Sequence, residues 1–249
     1  MNWFAHAPAS GEVRLRLLCF PYAGGSATVF RGWEAAVPDG VEVLAARLPG
    51  RADRWREEPF TDLDLLVDAL AEPVSRYVDE PFAFFGHSMG ALISFELARR
   101  LRRDHGREPA YLFVASCNPP LADVPMPVLA SLDDEGLRAK LADLGLADDV
   151  LAEEELMEVM LPLVRADLHI ADGYVDRDGE PLSCPMTAFR GRRDPMVDEA
   201  DMAQWARGTT GPFALRSVEG AHLFDDPGWR DVLTAVSDEL DSALLRKEA

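Results

Sequence analysis

One stretch limits the folds open to this chain more than any other. Residues 82–90 read Phe-Ala-Phe-Phe-Gly-His-Ser-Met-Gly, followed by Ala-Leu-Ile-Ser-Phe-Glu-Leu-Ala-Arg-Arg-Leu-Arg-Arg to position 103. The apolar run Phe82–Phe85 predicts a buried parallel strand. The residues after the turn have helical periodicity, with Leu92, Phe95 and Leu101 on an apolar side. Between them lies Gly-x-Ser-x-Gly, with Gly86, Ser88 and Gly90 in the defining places. Strand, tight turn and helix together make this pentapeptide a nucleophile elbow. The turn demands a strained backbone at Ser88, and glycine at 86 and 90 avoids collisions with the neighbouring strand and helix.

The flanking sequence repeats the same rhythm. Strands are expected at Val13–Phe20, Val41–Ala46, Tyr111–Ala115, Met186–Arg190 and Phe213–Val218, with Trp3-Phe4 as a short edge strand. Helical spacing runs through Leu63, Leu66, Val67, Leu70, Val74 and Tyr77, capped by Thr61 or Asp62. A weaker helix is expected at Val29–Val37, another near Glu199–Ala206, and a last one at Trp229–Leu245. Alternation of this kind predicts an α/β fold with a mainly parallel central sheet and helices on both faces. Active sites of such sheets gather at the carboxyl ends of the strands. The loops after Phe20, Ala46 and Phe85 therefore share one rim.

From Asn118-Pro-Pro120 onward the rhythm breaks. Residues 121–183 read as helices, one near Leu132–Leu144 and another from Leu151 to about Tyr174. Leu137, Leu141 and Leu144, and Leu156, Val159, Met160 and Leu163, would supply their apolar faces. This stretch holds sixteen acids against four bases, a net −12 of the chain's −19. The expectation is one domain over 1–249, with 121–183 inserted on the active-site rim as a mobile helical lid.

Composition removes several classes of function. A net charge of −19 argues against general nucleic-acid binding. No apolar run reaches the ~20 residues that a membrane span needs, and the N-terminus lacks the pattern of a secretory signal. Cys19, Cys117 and Cys184 are widely spaced, form no Cys-x-x-Cys, and suit a cytoplasmic protein without a metal site.

A serine nucleophile needs a base within hydrogen-bond reach and a group that orients the base. Among the histidines after Ser88, His105 lies at the far end of the elbow helix and His169 in the insertion. His222 follows the last strand onto the rim and is the expected base, whereas His87 is expected to support the turn. Asp194, in Arg190-Gly-Arg-Arg-Asp-Pro-Met196, follows a strand on the same rim and is the expected acid; Asp198, Asp225 and Asp226 compete with it. The oxyanion hole would use the backbone N–H of Met89 and one from Tyr22-Ala-Gly-Gly25, for which Ala23 is the choice. A phosphate cradle is the rival reading of that glycine pair, but no P-loop Lys-Ser/Thr follows it.

With these residues assembled, the chain resembles a type II thioesterase, the discrete editing enzyme that accompanies polyketide synthases and non-ribosomal peptide synthetases. The resemblance runs nearly end to end through Leu-Cys-Phe-Pro-Tyr-Ala-Gly-Gly (18–25), Arg-Leu-Pro-Gly-Arg (47–51), Phe-Gly-His-Ser-Met-Gly (85–90), Leu-Pro-Leu-Val-Arg-Ala-Asp (161–167) and the turns holding Asp194 and His222. It implies an α/β-hydrolase fold with a helical lid, a Ser88–Asp194–His222 triad, and oxyanion amides at Ala23 and Met89. It also implies hydrolysis of acyl groups from the phosphopantetheine arm of an acyl or peptidyl carrier protein, with no cofactor of the enzyme's own. Two residues depart from the family pattern: Ala221 replaces the usual glycine before the histidine, and Leu223 stands where phenylalanine is common. The residues without the resemblance stop at a serine hydrolase, which leaves a small-molecule carboxylesterase and a non-catalytic ligand-binding relic as alternatives. Of two arginine clusters, Arg47, Arg51, Arg54 and Arg56 lie on the rim, where they are expected to meet an acidic carrier. Arg99, Arg100, Arg102 and Arg103, at the far end of the elbow helix, read as structural.

Overall fold

The computed structural model describes residues 2–7, 9–120, 128–172, 174 and 180–248, with side chains to 245. Seven strands form one sheet in the order β1-β3-β2-β4-β5-β6-β7. These are β1 (Phe4–Ala7), β2 (Leu15–Phe20), β3 (Val41–Ala46), β4 (Phe82–His87), β5 (Tyr111–Ala115), β6 (Met186–Gly191) and β7 (Phe213–Val218). Every pairing is parallel except β1 with β3, where Phe4 faces Ala46. The edge strand is therefore real but starts one residue later than Trp3. Strands β4 and β5 are buried along their whole length, as runs such as Phe-Ala-Phe-Phe require when helices cover both faces.

On one face pack α1 (Leu63–Ser75) and α2 (Met89–His105); on the other, α7 (Asp226–Glu248) with Phe30 and Trp33. Asp62 caps α1 by accepting the Leu65 N–H, and Gly106, at φ +63°, ends α2 in the left-handed conformation. The helix expected at Val29–Val37 is instead two single turns of 3-10 helix, Ala27–Phe30 and Trp33–Ala35. Gly32 between them, at φ +84°, interrupts any continuous helix.

Between β5 and β6 lie α3 (Asp134–Asp143), α4 (Asp148–Ala152) and α5 (Glu154–Ala171), and α6 (Glu199–Ala203) follows β6. The expected insertion at 121–183 falls partly on 121–127, 173 and 175–179, which lie outside the described residues. Leu137 and Leu141 of α3 join Met157, Leu161 and Val164 of α5 in a small core of their own. The inward stripe of α5 is thus rotated from the one expected: Leu156 and Val159 are exposed, 43% and 74%. An apolar-rich helix offers more than one stripe of the right period, and the position of α3 selects the residues that pack on it. Among the described residues no helix is long and apolar enough to cross a membrane.

Candidate active site

Ser88 sits between β4 and α2 with φ +54° and ψ −118°, the strained conformation that the elbow demands. The glycines on either side are sterically required. A Cβ on Gly86 would lie 2.1 Å from the carbonyl oxygen of Gly90, and one on Gly90 would lie 2.1 Å from that of Phe20. The strand–helix contact that raises the serine leaves no room for a methyl group.

The turn after β7 brings His222 to this serine. Its Nε2 lies 2.8 Å from Ser88 Oγ, and its Nδ1 lies 2.9 Å from Asp194 Oδ2. Asp194 follows β6, and its second oxygen accepts the backbone N–H groups of Met196 (2.8 Å) and Val197 (3.4 Å). Burial alone would raise the Asp194 carboxyl, but His222 and these two amides outweigh it and hold the group below its ordinary value. An ionised Asp194 accepts from Nδ1–H, which leaves the Nε2 lone pair facing the serine hydroxyl. The competing acids are engaged elsewhere. Asp198 caps α6, Asp225 binds the Gly228 N–H and Arg193, and Asp226 opens α7.

Met89 is the first residue of α2, so its N–H belongs to the first turn, which has no intrahelical acceptor. Ala23 shares the wall of the cavity at Ser88. That cavity runs under α3 and α5 and is bounded mainly by apolar side chains, among them Leu137, Leu141, Met160 and Val164. The two unusual residues also find their places here. Leu223 lines the cavity, and Ala221 stands against Gly145, where a Cβ would approach its methyl group to 3.3 Å.

His87 does more than support the turn. It is fully buried beside Tyr22, Phe224 and Trp229, and its Nε2–H donates to the His222 carbonyl at 2.7 Å. Burial first, and then the neighbouring His222, pull its pKa down to about 3, so it stays neutral. Cys117 cannot compete as a nucleophile, because burial and the nearby Asp194 push its thiol up to about 12. His169 lies on α5, and His105 is exposed at the end of α2.

The rim arginines are not the open cluster expected. Arg51 and Arg54 are each only 6% exposed. Arg54 grips Glu57 with two nitrogens, donates to the Arg47 carbonyl at 2.6 Å and covers the Trp3 ring. Arg51 forms a two-pronged ion pair with Asp167 of α5. Both guanidinium groups serve main-chain carbonyls and a carboxylate, Arg51 the buried Asp167 and Arg54 the part-exposed Glu57, a use that a charge run in a loop does not announce. Arg47 pairs with Asp53, and Arg56 is exposed over Trp55. At the far end of α2, Arg99 and Arg102 donate to the carbonyls of Glu180 and Pro181, and Arg100 pairs with Asp68 and Asp104. Asp167 is the functional candidate that sequence reasoning missed. Its signal was there: a carboxylate on the apolar stripe of a helix requires a buried partner.

Comparison with known proteins bears on the family and the fold. Residues 15–236 match the Thioesterase domain family. The gramicidin S biosynthesis protein GrsT of Aneurinibacillus migulanus is 39% identical over 224 residues, covering 90% of this chain and 88% of its own. Thioesterase PikA5 of Streptomyces venezuelae is 37% identical over 240 residues, covering 96% and 85%. The solved structure of the type II thioesterase BorB from the borrelidin biosynthetic cluster superposes with a TM-score of 0.85 at 35% identity, covering 98% of both chains. A mostly parallel seven-stranded sheet, a serine raised on an elbow and a match along nearly the whole chain lead to one assignment: the chain belongs to the thioesterase family and is a thioester hydrolase of the type II group.

Proposed function

We propose that this enzyme removes acyl groups from the phosphopantetheine arm of an acyl or peptidyl carrier protein by way of an acyl-Ser88 intermediate. The observation that carries the reading is the hydrogen-bonded chain Ser88–His222–Asp194 opening into an apolar cavity. His222 Nε2 takes the Ser88 proton as Oγ attacks the thioester carbonyl. The oxyanion formed is met by the N–H groups of Ala23 and Met89, donors of a kind worth ~3–4 kcal/mol each in the transition state. Collapse breaks the C–S bond, and the thiol leaves with the proton held by His222. Water then gives a proton to His222 and attacks the acyl carbon, and the carboxylic acid departs as Ser88 recovers its hydrogen. The chain's own residues suffice for every step, so no cofactor is required.

The region 121–183 acts in this reading as a helical cover within one domain, its apolar side facing the acyl group. The carrier-bound substrate is supported by the relatives: GrsT is named for gramicidin S biosynthesis, and BorB is described as a type II thioesterase of the borrelidin cluster. Editing of stalled acyl units in such a pathway fits a discrete hydrolase with an apolar cavity at its serine.

Parallel assays with an acylated carrier protein, the matching acyl-coenzyme A and a p-nitrophenyl ester test the proposal. The expected order of kcat/KM is carrier protein, coenzyme A, then ester. Efficient ester cleavage with no carrier turnover would instead favour a small-molecule carboxylesterase. Ligand binding without turnover of any of the three would favour a non-catalytic role.

A further inference from the structure

Asp167, on α5, has no exposed surface, and its partner Arg51 is 6% exposed. Arg51 Nη1 donates to Asp167 Oδ2 and Nη2 to Oδ1, both at 2.7 Å. The same Oδ2 accepts the backbone N–H of Gly24, also at 2.7 Å. Arg51 further donates to the carbonyls of Gly25 and Pro49, each at 3.1 Å. One buried cluster thus joins three segments distant in sequence: the loop after β2, the loop after β3, and α5.

Two further contacts tie the helices over the cavity to the loops beneath them. Gly24, at φ +78°, lies so flat on α5 that a Cβ there would come within 2.6 Å of Val164 Cγ2. The Leu223 N–H, next to His222, donates to the carbonyl of Leu144 at 3.0 Å, just beyond α3.

Stability alone is a poor reason for such a pair. Desolvating two charges offsets most of their attraction, and a well-packed apolar pair of similar volume serves as well or better. An apolar pair cannot orient a peptide plane. The Gly24 amide follows Ala23 directly, so pinning it to a rigid acceptor restricts the backbone that aims the Ala23 N–H. We propose that Asp167 and Arg51 are positioning residues for the oxyanion hole, through which the lid helix α5 sets the aim of the Ala23 amide. The inference rests on the functional reading above, in which Ala23 is an oxyanion donor. In it the cover and the catalytic centre are one mechanical unit, and a displaced α5 leaves Ser88 and His222 in place but the hole misaligned.

Full-length Asp167→Ala, Asp167→Asn and Arg51→Lys variants test this with an acyl-N-acetylcysteamine thioester as substrate. A trifluoromethyl ketone, which Ser88 would convert to a hemiketal oxyanion, serves as inhibitor. Misplaced catalytic groups cost on the order of 10- to 100-fold. Asp167→Ala is therefore expected to lower kcat about 10- to 100-fold with KM within about threefold, and to weaken the inhibitor in proportion to kcat. Arg51→Lys keeps the charge but loses the fork, so it falls between Asp167→Ala and the unsubstituted enzyme. If Asp167→Ala does not fold, Asp167→Asn and Arg51→Lys carry the same comparison. A lower melting temperature with kcat per folded molecule unchanged would overturn the proposal and leave the pair structural. A loss confined to KM would overturn it in favour of pocket shaping. Failure of the unsubstituted enzyme to cleave the thioester would remove the functional reading itself, and it is distinguishable because it precedes any variant.

Discussion

His87 donates its Nε2–H to the main-chain carbonyl of His222, 2.7 Å away and 135 positions along the chain. The residue beside the proposed nucleophile thereby holds the backbone of the proposed base. The elbow and the loop of the proposed base are coupled behind the Ser88–His222 contact as well as through it.

That coupling has a pH signature. His87 is neutral in the folded protein down to about 3, whereas an unfolded histidine binds a proton near 6.5. Between these values the unfolded chain holds more protons, so stability must fall as pH falls through that window. Asp194, held below its ordinary value, acts in the same direction at lower pH. The His87 contribution is on the order of a few kcal/mol. His87→Gln, which keeps a donor and cannot titrate, is expected to flatten melting temperature against pH between about 6.5 and 4. An unchanged slope would show that His87 is not the group responsible.

The reactive chain predicts a graded series. Ser88→Ala should abolish labelling by a fluorophosphonate without loss of fold. Asp194→Asn leaves the imidazole in the wrong tautomer and should lower kcat by up to ~10⁴-fold, the cost found for the same change in the serine-protease triad. Asp225→Asn should retain most activity, since Asp225 is spent on Gly228 and Arg193. A dead Asp225 variant beside an active Asp194 variant would reverse the assignment of the acid.

Much of this was legible in the sequence, for local reasons. The elbow is written in consecutive residues because one tight turn joins β4 to α2; Gly86 answers a collision within that turn with Gly90, and Gly90 one with Phe20 on the neighbouring strand. That Asp194 and His222 lie beside Ser88 could be read because strands of a parallel sheet empty onto one rim, which turns chain order into spatial proximity. Asp167 ends the 161–167 motif and its place on an apolar stripe called for a buried partner, but the partner was not legible, because the bond from Asp167 to Gly24 spans 143 positions and uses a backbone amide that has no signature of its own. The inward face of α5 was anticipated only in part: Met160 does line the cavity, but Leu156 and Val159 are exposed although they are as apolar as the stripe that packs. Only the position of the neighbouring α3 decides between them.

Hydrogen exchange should divide the proposed cover. The Asp167 cluster and the Val164 contact anchor the second half of α5, while α4 has no buried residue. Amides of α4 are expected to exchange fastest, those of the second half of α5 more slowly, and those of β4 slowest. Uniform fast exchange across 134–171 would mean that the anchors do not hold in solution.

The proposed docking of a carrier narrows to a smaller patch than four arginines. With Arg51 and Arg54 buried, the exposed Arg56 above Trp55 remains on the loop that leaves the rim after β3; Trp55 is 64% exposed. Rim charges act chiefly on association rate and salt dependence. Arg56→Glu is expected to lower kcat/KM for an acidic carrier-bound substrate severalfold and to reduce its salt dependence. A small neutral thioester should be cleaved as before. Equal losses on both substrates would place Arg56 in the support of the active site.

The central claim is that a carrier-bound acyl group passes through Ser88, and intact-protein mass spectrometry of a rapidly acid-quenched reaction tests it most directly. Mixing the enzyme with a stoichiometric acylated carrier should yield, before hydrolysis completes, an enzyme species heavier by the acyl group. Fragmentation should map the added mass to Ser88, and Ser88→Ala should show neither adduct nor turnover. Continued release of the free acid by Ser88→Ala, with no acyl-enzyme in either protein, would contradict the account.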